Sequence, residues 1–513
     1  MGGAVLTAYL LRPRLSITPS QSGLASLSFN GPGTTIGATT AHVGGRTIPL
    51  ADDRGTLRLP TAVSAGASVS VTVTARSPWW ESWLTGARLT KTVSIPAPVV
   101  TLGATISEFR AGGNPTARFD QPVQVVSWVA GGTSRTLRLT VASRRVTLTL
   151  PAGHPSAGTV EVRAARYTWE MLSAPMSLTY FAGHGPMALV SPAPGAWSPS
   201  VPIRLTFAQP VRSLFGSRLP TLSVAKLTTP PAGTWLRPTA NTLEFSPGAG
   251  ALWPGQELQI HLPSAIEVAG TSTSTLSFAV PQGSVTRLQQ ELAVLGYLPF
   301  TWSSAAGQPG PPASMTGAAA AASVTPQGSF SWRWTPPALL AGLWQPGTYS
   351  VMTDGAVKAF ENVEGLNPVG LANPLLWPYL AKALASNAQN PNGYTWVSVS
   401  QTLPETLTVW HDGQVAITAA TNTGIPSDPT ANGTFAVYLR YPSQVMRGTN
   451  PNGTTYADPV EWVSYFNGGD AIHGFVRASY GFPQSLGCAE LPFATAAQVY
   501  PLTPIGTLVT VHP

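Results

Sequence analysis

Five hundred and thirteen residues exceed what one hydrophobic core serves and predict three to four domains or more. Charged residues make up only 10%, against 50 Gly and 50 Pro, which argues against a coiled coil or long-helix protein; 43% hydrophobic residues, with 16 Trp, 16 Phe and 13 Tyr, argue against disorder. The net charge of +7 is uneven: residues 1–283 hold 21 basic and 10 acidic residues, 284–390 hold 4 and 4, and 391–513 hold 3 and 7, so the basic share is diffuse and N-terminal.

No Lys/Arg run and no zinc-ligand spacing accompanies that charge, so nucleic acid is not an expected partner. An anionic envelope surface or polymer suits it better, beside the plainer reading of a solvated surface. The one cysteine, Cys488, excludes an intramolecular disulfide and any two-thiol motif, and leaves either an inert core thiol or a reactive one.

Residues 1–14 open with the apolar run Met1–Leu11, too short for a bilayer span of about 20 residues. It reads either as the remnant of a signal or membrane anchor or as an apolar tail. From there to residue 283 the apolar period is two, as in Val69, Val71 and Val73, or Leu258, Ile260 and Leu262, which predicts half-buried strands.

Two landmarks recur three times in the same order. Phe29-Asn30-Gly31-Pro32, Phe119-Asp120-Gln121-Pro122 and Phe207-Ala208-Gln209-Pro210 are each followed by a strand ending near a proline, then a glycine (Gly66, Gly158, Gly255), then an alternating strand. The fold class is therefore mainly β and multidomain, with immunoglobulin-like β-sandwiches expected at 15–98, 99–187 and 188–283. Such units carry no visible chemistry and would space or position something else.

At Ser284 the period changes to 3.6. Val285, Leu288, Leu292 and Leu295 line one face, with Ser284 as N-cap and Gly296 as stop. A second helix is expected at Thr353–Val363, capped by Thr353, and the Gly, Pro, Ala and Ser content of 301–324 predicts a long loop between them. Val285-x-x-Leu288-Gln289-x-x-Leu292-x-x-Leu295-Gly296-Tyr297, Pro346-Gly347-x-Tyr349 and Thr353-x-x-Ala356-Val357-x-x-Phe360 together resemble the helical peptidoglycan-binding module of bacterial wall enzymes. The unit is placed at 284–390, and its departure from the pattern is an insertion at 301–335. The resemblance implies glycan as partner; a helical spacer that binds nothing is the plainer alternative.

After the linker Ser386–Gly393, strands resume in a C-terminal unit at 391–513. Thr406–Trp410, the turn His411-Asp412-Gly413 and Val415–Ala419 form a hairpin signature. The chemistry-bearing segment is Ile472-His473-Gly474 through Ser485-Leu486-Gly487-Cys488-Ala489-Glu490-Leu491-Pro492. A thiol attacks acyl carbon as thiolate and needs a base, for which His473 is the candidate. The amides of Leu486, Gly487 and Cys488 could form an oxyanion hole, with Gly487 allowing close backbone approach.

This segment resembles the active-site signature of L,D-transpeptidases, a His-Gly followed by Ser/Thr-His-Gly-Cys. The likeness runs over about 395–512, through Asn422-Thr423-Gly424, Pro429-Thr430 and Gly433-x-Phe435 upstream and Leu491-Pro492 to Gly506-Thr507 downstream. One departure stands out: Leu486 occupies the place of the second histidine.

The resemblance implies Cys488 as nucleophile, His473 as general base, and the Gly474 carbonyl as its orienter. Ser485, Tyr441, Met446, Trp462 and Tyr465 are substrate-contact candidates, the aromatic ones equally readable as core. It also implies acyl transfer between peptidoglycan stem peptides through a thioester, giving 3→3 cross-links, with no metal or organic cofactor and an extracytoplasmic setting. Hydrolysis by water (an L,D-carboxypeptidase) and a non-catalytic wall scaffold are the alternatives.

Overall fold

The computed structural model describes residues 14–30, 33–80, 82, 86–183, 185–225, 227–312, 314–315 and 317–513. The apolar start before Arg14, the Gly31-Pro32 end of the first repeat landmark and His184 lie outside them. The chain is mainly β and built from several separate sheets.

Two four-stranded sheets share the first core. One orders Arg14–Pro19, Ala25–Asn30, Thr56–Arg58 and Ala51–Asp53, and the other Arg46–Pro49, Thr35–Val43, Ser68–Arg76 and Arg88–Pro96. Val69, Val71 and Val73 alternate inward from Ser68–Arg76 onto Leu15, Ile17 and Ile95, as their period of two requires. Trp169, far along the chain, fills the same core beside a bridge from Val63 to Glu170, so this unit is completed by the next.

The second unit departs from a two-sheet sandwich, because it is a single six-stranded sheet. Its 15-residue strands Thr116–Ala130 and Thr133–Thr147 lose register between Arg118 and Val125, where the Phe119-Asp120-Gln121-Pro122 landmark sits, and such breaks bend a strand. In the third unit, sheets of five and four strands enclose Leu205, Phe207, Phe245, Leu258, Ile260 and Phe278.

Helix Val285–Val294 begins as expected: the Ser284 hydroxyl accepts from the Arg287 amide at 3.3 Å, and Gly296 follows the C-cap at φ +84°. The second helix starts earlier than its sequence suggests. It spans Val351–Val363 with Ser350 at the N-cap, and Thr353 is buried, where the Gln289 side-chain amide donates to its hydroxyl at 2.9 Å.

A third helix, Leu376–Ser386, takes the first residue of the expected linker. The segment read as a loop holds an antiparallel hairpin, Phe300–Ser304 with Gly328–Trp332, and a short helix Ala318–Ala322. Its alternating aromatics Phe300, Trp302, Phe330 and Trp332 outweigh the turn-rich residues between them.

The core of this unit continues from Leu288, Leu292, Phe360 and Trp377 into Trp396 and Leu508 of the C-terminal unit. Gly355 makes the contact possible, since a Cβ there would approach the Gly506 carbonyl to 2.6 Å.

In the C-terminal unit a five-stranded sheet orders Gln414–Ala420, Thr406–His411, Thr395–Ser400, Leu508–His512 and Gly433–Ala436. The hairpin turn is as predicted, with Asp412 at φ +45° and Gly413 at φ +83°. A four-stranded sheet, Leu439–Thr449, Thr455–Asn467, Asp470–Gly474 and Ala489–Leu491, shares its core through Val397, Val409, Ile472, Leu491 and Val509. Among the described residues no helix is long and apolar enough to cross a membrane.

Candidate active site

Strands Asp470–Gly474 and Ala489–Leu491 run parallel, pairing Ile472 with Ala489, His473 with Glu490 and Gly474 with Leu491. Paired residues share a face, and so do residues two apart on one strand. His473, Glu490 and Cys488 therefore stand on one face, which opens into a cavity of about 440 Å³ that all three line. Gly474 lets helix Phe493–Val499 close on the other side, where a Cβ would approach Phe493 and Ala496 at 2.8 and 3.1 Å.

His473 is 3% exposed, and its Nδ1 lies 3.1 Å from the Gly474 carbonyl oxygen. An Nδ1–H donating there leaves the Nε2 lone pair free to accept a proton. Burial holds the imidazole below its ordinary range, partly offset by the Gly474 hydrogen bond, so the ring is neutral near pH 7.

Cys488 is 8% exposed among Val460, Val463 and Ala471, and its Sγ–H points to the Gly469 carbonyl at 3.8 Å. Burial pushes the thiol up to about 12, with a backbone hydrogen bond at Ala471 acting against it and Asp470, Glu490 and Asp428 adding to it. The resting pair is thus thiol and neutral imidazole, and a thiolate forms only by proton transfer during attack. The charged groups that act on this sulfur are carboxylates, which leaves His473 as the candidate for the base that the sequence argument asked for.

Ser485 is buried and donates its hydroxyl to the Cys488 carbonyl at 2.6 Å, which fixes the backbone of the Ser485–Cys488 turn. Gly487 sits at φ +100° with the Asp470 carboxylate where a Cβ would be, so neither its conformation nor its surroundings accept a side chain. Leu486 lines the cavity beside Cys488.

Of the remaining sequence candidates, Met446 lines the cavity. Tyr465 packs in the cluster around Cys488 and receives a hydrogen bond from Gln444, while Tyr441 meets its ring edge-on at 6.4 Å and is otherwise exposed. Trp462, at φ +62°, stacks 5.6 Å from Tyr500 on the core side. The structure therefore brings His473, Cys488, Ser485, Leu486 and Met446 to one cavity, and places Tyr441, Trp462 and Tyr465 behind or beside it.

The long hairpin Leu439–Thr449 and Thr455–Asn467 overhangs the cavity, and Asn450, Pro451 and Asn452 at its tip line the wall. Arg477 lines it too and binds Glu490 through two contacts of 2.8 Å, while donating to the Gln484 carbonyl at 3.1 Å. The Glu490 side chain is 5% exposed, so the pair braces the return from His473 to Cys488. Sequence reasoning gave neither Arg477 nor Glu490 a role, since a pair 13 residues apart outside any helix has no period.

Glu405 went unnoticed for the same reason. Fully buried, it accepts from the Thr423 amide and hydroxyl at 2.6 and 2.7 Å and so holds the Asn422–Gly424 segment, which bridges to Glu490 and Ser485, against the site.

The family model described as YkuD, L,D-transpeptidase catalytic domain, matches residues 394–511. No curated protein matches the chain. Among solved structures, the chain is similar to an L,D-transpeptidase from Mycobacterium smegmatis, with 17% identity over 64% of this chain and 99% of that one, at a TM-score of 0.22. It is also similar to the catalytic domain from an E. faecium L,D-transpeptidase acylated by ertapenem, with 27% identity over 23% and 97% and a TM-score of 0.22. A third is an L,D-transpeptidase from Mycobacterium tuberculosis H37Rv, at 13% identity over 63% and 96% and a TM-score of 0.21.

Proposed function

We propose, from the L,D-transpeptidase catalytic domain at residues 394–511, that the protein is a cysteine acyltransferase joining peptidoglycan stem peptides by 3→3 cross-links. The observation that carries this reading is that His473, on strand Asp470–Gly474, and Cys488, directly before the parallel strand Ala489–Leu491, line one cavity.

His473 Nε2 takes the thiol proton as Cys488 Sγ adds to the carbonyl carbon of the diamino acid at stem position 3. The amides of Leu486, Gly487 and Cys488 receive the developing oxyanion, an interaction worth about 3 kcal/mol per donor in comparable sites. Collapse breaks the C–N bond to D-Ala, whose amine leaves with the proton held by His473, and a thioester remains. The side-chain amine of a second stem then attacks the thioester, gives its proton to His473, and expels the sulfur, which is reprotonated.

Low dielectric favours this sequence, because a neutral thiol and neutral imidazole carry no charge to desolvate in the resting state. The Gly474 carbonyl keeps the ring in the productive tautomer. Met446 and the hairpin tip are the candidates for contact with the stem.

The upstream units at 15–98, 99–187 and 188–283 then act as spacers, and the helical unit at 284–390 holds glycan near the cavity. The setting is extracytoplasmic, at the cell wall.

The test is incubation of the protein and of Cys488→Ala with a disaccharide-tetrapeptide, read by mass spectrometry. A Cys488-dependent dimer lacking one D-Ala is the expected product. Tripeptide monomer alone means a carboxypeptidase, and no change with either protein means a scaffold.

A further inference from the structure

One end of the first β unit gathers features that no step of acyl transfer uses. The connection from Ser68–Arg76 to Arg88–Pro96 begins Ser77-Pro78-Trp79-Trp80, and a helical turn, in which the Ser82 amide donates to the Pro78 carbonyl at 3.0 Å, lifts the tryptophans off the strands. Trp79 is 86% exposed and Trp80 49%. Large aromatics that far out of a core are uncommon and mark interaction sites when they cluster.

Cross-strand pairing shows what surrounds them. Arg76 pairs with Arg88 and with Thr35, so Ile36, 41% exposed, is one residue from the same end. A Cβ on Gly33, two residues before Thr35, would meet Pro78 at 3.3 Å and the Trp80 ring at 3.6 Å. Arg14 pairs with Asn30 at the start of that turn. Strand Arg14–Pro19 thus starts at the end that carries Trp79 and Trp80. Arg14, Arg76 and Arg88 are all exposed there.

We propose that this end of the first unit, built from Trp79, Trp80, Ile36, Arg14, Arg76 and Arg88, docks peripherally on an anionic lipid bilayer. Tryptophan places its apolar ring among acyl chains and its N–H among headgroups, and arginines beside it meet lipid phosphates. Basic residues near an anionic leaflet each add about fivefold to binding. The chemistry favours a bilayer over a sugar polymer because Ile36, an apolar aliphatic side chain that recognises no hydroxyl group, accompanies the rings.

The test is co-sedimentation of the full chain with vesicles of phosphatidylglycerol and phosphatidylcholine, beside vesicles of phosphatidylcholine alone. Trp79→Ala/Trp80→Ala and Arg76→Gln/Arg88→Gln are compared with the unaltered protein. All three keep residues 1–13, so only differences between them report on this surface.

The unaltered protein is expected to prefer the anionic vesicles and to lose that preference in high salt. The tryptophan pair should bind at least tenfold more weakly, and the arginine pair about 25-fold more weakly. Equal sedimentation of all three, equal binding to both vesicle types, or displacement of the protein by soluble glycan strands would overturn the proposal. Unchanged thermal unfolding of each variant shows that a loss of binding is not a loss of fold; if the tryptophan pair is destabilised, the arginine pair decides alone.

Discussion

The Ser485 hydroxyl, itself buried, donates to the carbonyl of Cys488 at 2.6 Å. This bond ties the first residue of Ser485-Leu486-Gly487-Cys488 to the last and thereby aims the intervening amides. Ser485→Ala leaves the Cys488 carbonyl unpaired in the interior, a loss of about 1–3 kcal/mol. Thermal unfolding should show that loss, and kcat for cross-linking should fall at least tenfold with little change in KM, because the amides and not the binding wall are displaced.

The Arg477–Glu490 pair gives a sharper stability prediction. Removing one partner of a buried pair costs about 3–5 kcal/mol, and solvent at the partly exposed Arg477 brings the expected loss for Arg477→Met to about 2–3 kcal/mol. Replacing both residues by apolar ones should recover part of it. Urea unfolding of the two variants checks this, and an Arg477→Met protein as stable as the parent would refute the bracing role.

Much of the C-terminal unit was legible in sequence because its determinants are local. Asp412-Gly413 has the two positive φ angles a two-residue hairpin needs, and His473 and Cys488 stand out by the spacing of His473-Gly474 and Ser485-Leu486-Gly487-Cys488, which resembles a known signature. What sequence did not show depends on distant partners. Glu405 acquires meaning only when Thr423 folds onto it, and Arg477 only when Glu490 does.

The hairpin Phe300–Ser304 with Gly328–Trp332 was hidden by the 23 residues of turn-rich chain between its strands, and its aromatic alternation spans only five residues on each side. Thr353 was taken for a cap because its type suits one; the Gln289 amide claims its hydroxyl instead.

The contact between Gly355 and Gly506 predicts that the helical unit and the five-stranded sheet of the C-terminal unit unfold together. Gly506 sits at φ +89°, and a Cβ there would press on the Gly355 carbonyl and the Ala359 amide. Gly506→Ala should lower stability by about 2 kcal/mol or more through strain and overpacking. Differential scanning calorimetry should show one transition for helix Val351–Val363 and the sheet in the parent, and two in the variant.

The titration states fix the pH dependence. His473 has its imidazole pKa lowered by burial, so it stays neutral, and able to accept a proton, down to a pH below its ordinary 6.5. Cross-linking should therefore hold its rate as the pH falls to 6.5 and decline only below it. In the same window the unfolded chain binds a proton that the folded one refuses, so this residue makes stability fall as pH drops through 6.5. With Cys488 pushed up to about 12, alkylation of the resting protein by iodoacetamide should rise steadily from pH 7 to 10. A plateau reached below pH 7 would instead indicate a resting thiolate and contradict the neutral pair.

The central claim, that Cys488 is a nucleophile served by His473, is tested most directly by intact-protein mass spectrometry after exposure to a carbapenem. One acyl adduct, mapped to Cys488 by peptide digestion, absent in Cys488→Ala and formed at least a hundredfold more slowly in His473→Gln, is the predicted result. No adduct on a folded protein, or an adduct that forms equally fast without His473, would contradict it.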